Sequence, residues 1–175
     1  RALAEMEYNG QEVDEQYLVE FAHELDDEMS RMAIKLSRKF NTSTDFGSDT
    51  AVRDLLYNHL RLPVVKLTEK GNQLEREGVK IDRVEFASVD RSTLITLGRE
   101  HDKHKEALEL LGEYKVRQKV RSTYTLSLAH KIGKDGKIHP SFLSHGTATG
   151  RLSSRDPNFQ NIPSRHKLMA KKIRR

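Results

Sequence analysis

From His145 the chain reads His-Gly-Thr-Ala-Thr-Gly-Arg-Leu-Ser-Ser-Arg-Asp-Pro-Asn-Phe-Gln-Asn-Ile-Pro163, which places Arg151, Asn158, Gln160 and Asn161 within eleven residues. Guanidinium and carboxamide groups are the side chains that reach the base edges and sugars of nucleic acids. Thr147, Thr149, Ser153 and Ser154 add short hydroxyls suited to phosphate oxygens. Gly146 and Gly150 let a backbone come close to a duplex. Flanking lysines and arginines supply the sequence-independent attraction to phosphate. The same amides would also serve a surface loop that caps its own turns, so residue types alone leave both uses open. Hydrolysis has less support. The run Gly146–Gly150 lacks the Gly-Lys-Ser/Thr ending of a phosphate-cradling loop. His145, Ser153 and Asp156 lack the Gly-x-Ser-x-Gly setting of an acyl-transfer nucleophile. His23, His101 and His104 could in principle share a metal, although the last two sit at helical seam spacing, where histidine ordinarily packs.

Charge separates this segment from what precedes it. The 175 residues hold 31 Lys+Arg and 26 Asp+Glu, a net of +5. Residues 1–113 carry 16 basic and 24 acidic side chains, a net of −8, whereas residues 114–175 carry 15 basic and only Asp135 and Asp156, a net of +13. Such a split points the C-terminal third toward a polyanion, with a solvated basic surface as the plainer reading. Apolar residues make up 35% of the chain, below the usual ~45–50%. Leu, Ile, Val and Phe still number 43, enough for a modest core in an elongated molecule. The absence of Cys excludes a disulfide scaffold and any thiolate zinc site. No apolar run is long enough to span a membrane. The chain opens at Arg1 without a Met, so its natural start is expected to lie upstream.

The elements that must position these residues read as mainly α: a long antiparallel helical hairpin, short tip helices, and a small β-hairpin with an irregular base. A first helix stops at Asn9-Gly10, and Gln11–Val13 make a short extended crossing. Asp14 caps a helix to about Phe40, whose apolar positions Leu18, Ala22, Leu25, Met29, Met32 and Leu36 step in a heptad-like seam. Both methionines are read as core filler. Its first half is acidic and Arg31, Lys35, Arg38 and Lys39 close it, in the sense of the helix dipole. A second long helix, Asp90 to Arg121, carries Leu94, Leu97, His101, His104, Leu108 and Leu111. Neither seam is wide enough to stand alone, so the two are expected to pack on each other. Between them Ser48 or Asp49 caps a short helix, and residues 71–86 read as an exposed, weakly alternating insertion. Lys131–His139, with Asp135-Gly136 at the turn, reads as a β-hairpin.

The run Thr147-Ala-Thr-Gly-Arg-Leu-Ser-Ser154, followed by Asp156-Pro-Asn-Phe-Gln-Asn-Ile-Pro163, closely resembles the segment before the first catalytic motif of family A (DNA polymerase I-like) DNA polymerases. Further blocks agree in order: Met6-Glu7 with Gly10 and Val13-Asp14, Leu62-Pro63 with Thr68-Glu69-Lys70, Tyr114 with Arg121-Ser-Thr-Tyr124, and Ile138-His139-Pro140. The resemblance covers essentially the whole chain. It implies the thumb subdomain with the N-terminal edge of the palm. Residues 1–13 lead in from the palm side, 14–124 form the thumb with its tip at 41–89, and 125–175 form the thumb base and start of the palm.

What the resemblance implies for function is a grip on primer–template duplex from its minor-groove side. Arg151 would reach the minor groove at the primer terminus, and Asn158, Gln160 and Asn161 would add contacts, as would Ser153 and Arg165. Arg121 and Thr123 occupy the place of thumb-base backbone contacts, and Lys70 and Ser88 that of phosphate contacts at the tip. Two departures stand out: Arg155 where the family usually has a third Ser, and Ser88-Val89-Asp90 where it often has Ser-Thr-Ser. The family's metal-binding carboxylates lie beyond the end of this chain, so no catalytic residue and no cofactor is assigned to it. Mg2+ is expected only of the complete polymerase, whose remaining palm and fingers would be partners in the same or a separate chain. The chain is then expected to be inactive alone, whether an excised fragment, one part of a split polymerase or a stand-alone DNA-binding derivative. A cytoplasmic, bacterial or phage-type setting follows, with an organelle left open. A rival of another class is a helical scaffold that binds protein through its acidic helix.

Overall fold

A computed structural model describes residues 2–144 and 150–159. Among these residues the chain forms two compact units, one of residues 2–26 with 119–144 and 150–159 and one of residues 27–118. Both divisions fall inside helices.

The 27–118 unit is built on α2 (Glu15–Phe40) and α6 (Lys105–Val120). Lys39 pairs with Glu106 at 2.6 Å and Glu28 with Arg117 at 2.6 Å, so the two helices run antiparallel. Between them lie α3 (Asp49–Arg53), which runs on as a π-helical turn to His59, α4 (Glu69–Arg76) and α5 (Arg91–Glu100). The starts of α2, α3, α4 and α5 each carry an oxygen for an otherwise orphaned N–H. Asp14 accepts from Tyr17 N, Ser48 from Ala51 N, Thr68 from Gly71 N and Asp90 from Thr93 N.

The core of this unit collects Leu36, Val52, Leu56, Leu94, Leu97, Leu108 and Leu111, all fully buried, with Phe40, Phe46 and Tyr114 in aromatic contact around them. Met29 and Met32 pack against it from α2. Arg117 lies half-buried between Glu28 and Glu113. Burial disfavours its charge, but the hydrogen bonds to both carboxylates hold its pKa above the ordinary value.

The expected single helix from Asp90 to Arg121 is interrupted. Its backbone leaves helical geometry at His101 (φ −130°, ψ 76°), passes through a 3-10 turn at Asp102–His104 and restarts at Lys105. The turn lets Leu94 and Leu97 enter the same core as Leu108 and Leu111. His104 stacks on Phe40 at 6.3 Å, and burial, then Lys103 and His101, push its pKa down. The weak alternation around Val79 and Ile81 forms no strand. The structure places α4 over the first part of that insertion.

The other unit contains α1 (Ala2–Asn9), β1 (Gln11–Glu12), the first turns of α2, a π-helical stretch Arg121–Leu126 continuing α6, and α7 (Ser127–Ala129). Strands β2 (Lys137–Ile138), β3 (Ser141–Leu143) and β4 (Ser153–Arg155) follow. The tight turn at Asp135-Gly136 forms, with Gly136 at φ +76° and Gly133 N donating to Lys137 O at 2.7 Å. Its outgoing arm β2, however, pairs antiparallel with β1, Gln11 opposite Ile138. The incoming arm, Lys131-Ile132-Gly133-Lys134, offers a single apolar side chain, half-buried, whereas pairing with β1 accompanies full burial of Ile138.

Gly10 holds that pairing together. It sits at φ +64°, and a Cβ there would come within 2.7 Å of the His139 ring. The ring itself bonds the Glu7 carbonyl through Nδ1 at 2.8 Å and the Asp135 carboxylate through Nε2 at 2.9 Å. Two motifs far apart in sequence therefore meet here.

Two outcomes test this fold. Leu97→Ala should cost about 2–5 kcal/mol, read as a lower urea midpoint, because it empties a fully buried site. The Glu7 carbonyl, then Asp135, raise the His139 pKa, so its stabilisation is full below the ordinary histidine value and fades as pH rises through the folded one. Asp135, depressed chiefly by His139, acts in the opposite sense and loses its contribution in acid. The melting midpoint should therefore fall as pH rises above the ordinary histidine value, and His139→Gln should flatten that slope.

Candidate nucleic-acid interface

In the unit that holds the ends of the described chain, β3 and β4 pair antiparallel with Phe142 opposite Ser154 and Leu143 opposite Ser153. Alternation buries Ser154, whose Oγ accepts from Phe159 N at 3.0 Å, and leaves Arg155 exposed beside it. Glu7 ties the sheet to α1 by accepting from Phe142 N at 2.5 Å. Gly150, at φ +70°, delivers the chain to Arg151, which is exposed immediately before β4. Asn158 is exposed past its far end. Ser153, half-buried, lies between them on the strand. The strand therefore carries a guanidinium before it, a hydroxyl and the Arg155 guanidinium along it, and an amide after it. Gln160, Asn161 and Arg165 lie outside the described residues.

Arg121 and Thr123 sit on the π-helical stretch. Thr123 is exposed, while Arg121 is ion-paired with both carboxylate oxygens of Asp26, at 2.9 Å for one bond. Phosphate would have to compete with that carboxylate. The acidic run of α2 was legible in sequence, but that one of its members faces Arg121 was not.

In the 27–118 unit, the segments around Leu67 and Ala87 bridge antiparallel, with Thr68 N donating to Phe86 O and Ser88 N to Lys66 O. They enclose a polar cavity of about 340 Å³ lined by Lys66, Leu67, Thr68, Glu69, Asn72, Arg76, Ser88 and Asp90. Ser88 is only 6% exposed. Its Oγ accepts from Asp90 N and its carbonyl from the Tyr57 hydroxyl, so it braces the cavity wall. Lys70 lies outside the lining, over the Phe86 ring at 5.8 Å. Lys66 and Arg76 are the cations the sequence reading missed. Only their position around a turn that pairs residues twenty apart brings them together.

The electrostatics of the wall are set. Burial pushes the Asp90 carboxyl up, but Lys66, Thr93 N and the hydroxyls of Ser92 and Thr93 hold it well below the usual range. The same carboxylate, after burial itself, helps push the Tyr57 phenol up to about 12 against the opposing Arg53. Among the described residues no group of three or more His, Cys, Asp or Glu converges to hold a metal ion. No helix among them is long and apolar enough to cross a membrane.

Comparison with known proteins gives the class. Residues 15–175 match the model of DNA polymerase family A, and the chain belongs to that family. It is 32% identical over 174 residues to the thermostable DNA polymerase I of Thermus aquaticus, and 30% identical over 165 residues to DNA polymerase I of Caldicellulosiruptor bescii. These matches cover 99% and 94% of this chain but only 19% and 17% of those proteins, so the chain spans about a fifth of their length. The POL domain of Pol1 from M. smegmatis, in a complex with DNA primer-template and dNTP, superposes with a TM-score of 0.78 at 27% identity, covering 98% of this chain and 27% of that one.

Removing the hydroxyl that braces the cavity should be measurable. Tyr57→Phe leaves the Ser88 carbonyl without its 2.7 Å donor and should lower stability by about 1–3 kcal/mol in urea unfolding. The same variant should delete, from an ultraviolet pH titration, the phenol that burial and Asp90 push up to about 12.

Proposed function

We propose that this chain is the primer–template-gripping part of a family A DNA polymerase, a thumb with the leading edge of the palm. The observation that carries the reading is the likeness, over 98% of the chain, to a polymerase domain solved with primer-template DNA. Arg151, Ser153 and Asn158 supply groups along one strand that suit a minor groove and its sugars. Lys66, Lys70 and Arg76 suit phosphates at the tip. The role of such an element is to hold the duplex and position the primer end while other parts of the polymerase do the chemistry. Mg2+ belongs to that chemistry. The described carboxylates here do not converge on a metal, and no catalytic step is assigned to them.

Fluorescence anisotropy with a labelled recessed-end duplex tests this. Affinity should fall linearly in log–log form with salt, by about 0.9 in slope per phosphate contacted. Arg151→Ala should weaken binding most at recessed 3′ ends, and the chain with Mg2+ and nucleotides should incorporate nothing. Binding that ignores salt, or none at low salt, would defeat the proposal.

A further inference from the structure

We infer that the outward face of the second half of α2 is a separate phosphate-contacting surface, on which Arg31, Lys35 and Arg38 bind the backbone of duplex DNA. The inference rests on the duplex-gripping reading and extends it to residues that reading does not use.

Arg31, Lys35 and Arg38 are all exposed and fall at i, i+4 and i+7, so they share one helical face. None has a carboxylate partner among the described residues. Of the other helical cations of this unit, Lys39 pairs with Glu106, Arg91 with Glu113, Lys115 with Asp49 and Arg117 with Glu28. Arg53, Lys70, Arg76, Arg99 and Lys105 make no ion pair among the described residues; what sets Arg31, Lys35 and Arg38 apart is that they share one helical face. Asp27, one turn before Arg31 on the same face, is exposed and makes no ion pair with it.

Local helix energetics work against this arrangement. Arg31–Lys35, Lys35–Arg38 and Lys35–Lys39 are like-charged neighbours at i,i+3 or i,i+4, each destabilising by a few tenths of a kcal/mol. The helix dipole rewards Arg38 and Lys39 in the last turn, but its influence fades before Arg31 and Lys35. The dipole and the Lys39–Glu106 pair offset part of this cost, but not the part at Arg31 and Lys35, and a local cost of that kind suits a contact made outside the chain. The three cations rise about 10 Å along the axis, a span over which a duplex strand presents neighbouring phosphates. Ile34 between them is 55% exposed, and a lone exposed aliphatic is ordinary. A protein partner would call for an aromatic or aliphatic anchor cluster at the centre of the patch. A regular line of cations fits a line of phosphates.

The test is the salt dependence of duplex binding for the chain and for the triple variant Arg31→Gln, Lys35→Gln, Arg38→Gln. The log–log slope should become shallower by about 2–3, at 0.9 per lost contact, while preference for recessed 3′ ends persists. Arg31→Lys with Arg38→Lys should retain the slope. The urea midpoint should hold or rise slightly, since all three side chains are exposed and their like-charged pairs are relieved; should the triple variant fail to fold, Lys35→Gln alone, expected to lose about 0.9, decides. Duplex binding by the parent chain with an unchanged slope in the variant overturns this inference alone. Loss of retention on polyglutamate with DNA binding intact overturns it too, assigning the face to an acidic protein. Failure of the parent chain to bind duplex overturns this and the function on which it rests.

Discussion

Two helices that cannot be buried separately are the constraint on which the 27–118 unit rests. The seam of α2 and the leucines of α6 are each a narrow stripe, and only antiparallel apposition, roofed by α3 and α5, removes both from water. Leu36, Leu108 and Leu111 are fully buried as a result. Exposed pairs such as Lys39–Glu106 fix alignment and contribute little energy. Arg117 is different in kind. Its half-buried guanidinium needs both Glu28 and Glu113, and loss of either would leave charge stranded away from water.

Charge looks different in the fold than along the chain. In sequence the acidic −8 and basic +13 portions are separate blocks. In the structure members of the acidic stretch neutralise members of the basic one, Glu28 with Arg117 in one unit and Asp26 with Arg121 in the other. Part of the basic excess is thereby consumed internally, and the positive charge free to meet a polyanion is more local than the totals imply. Arg155, exposed on β4, is one of the places where it remains at the surface.

Local rules made much of this legible in the sequence. Helix starts at Asp14, at Ser48 or Asp49 and near Asp90 were legible because a short side-chain oxygen before an amphipathic run has one efficient use, and folding settles the second on Ser48. Gly10 announced a stop, and the Asp135-Gly136 turn was visible for the same kind of reason. The break at His101 was not, because Leu94, Leu97, Leu108 and Leu111 keep helical spacing straight through it. A seam that bends toward one core gives the same periodicity as one that does not. The partner of β2 was also hidden: a turn signal is local, while the choice of β1, more than a hundred residues earlier, is made by burial and by His139 against Gly10. The candidate site shows the same division. Residue types picked out Arg151, Ser153 and Asn158, but the cavity joining Lys66, Arg76 and Asp90 and the Arg121–Asp26 pair exist only after folding. The two π-helical stretches had no sequence signature at all.

The Glu28–Arg117 contact has a topological consequence. It places the first and last turns of the 27–118 unit side by side, so about ninety residues leave and return at neighbouring points. Length gained or lost within that excursion need not move the stem from which it starts. Insertions around α4 can then lengthen the excursion while the helical turns at which it starts and ends keep their Glu28–Arg117 contact.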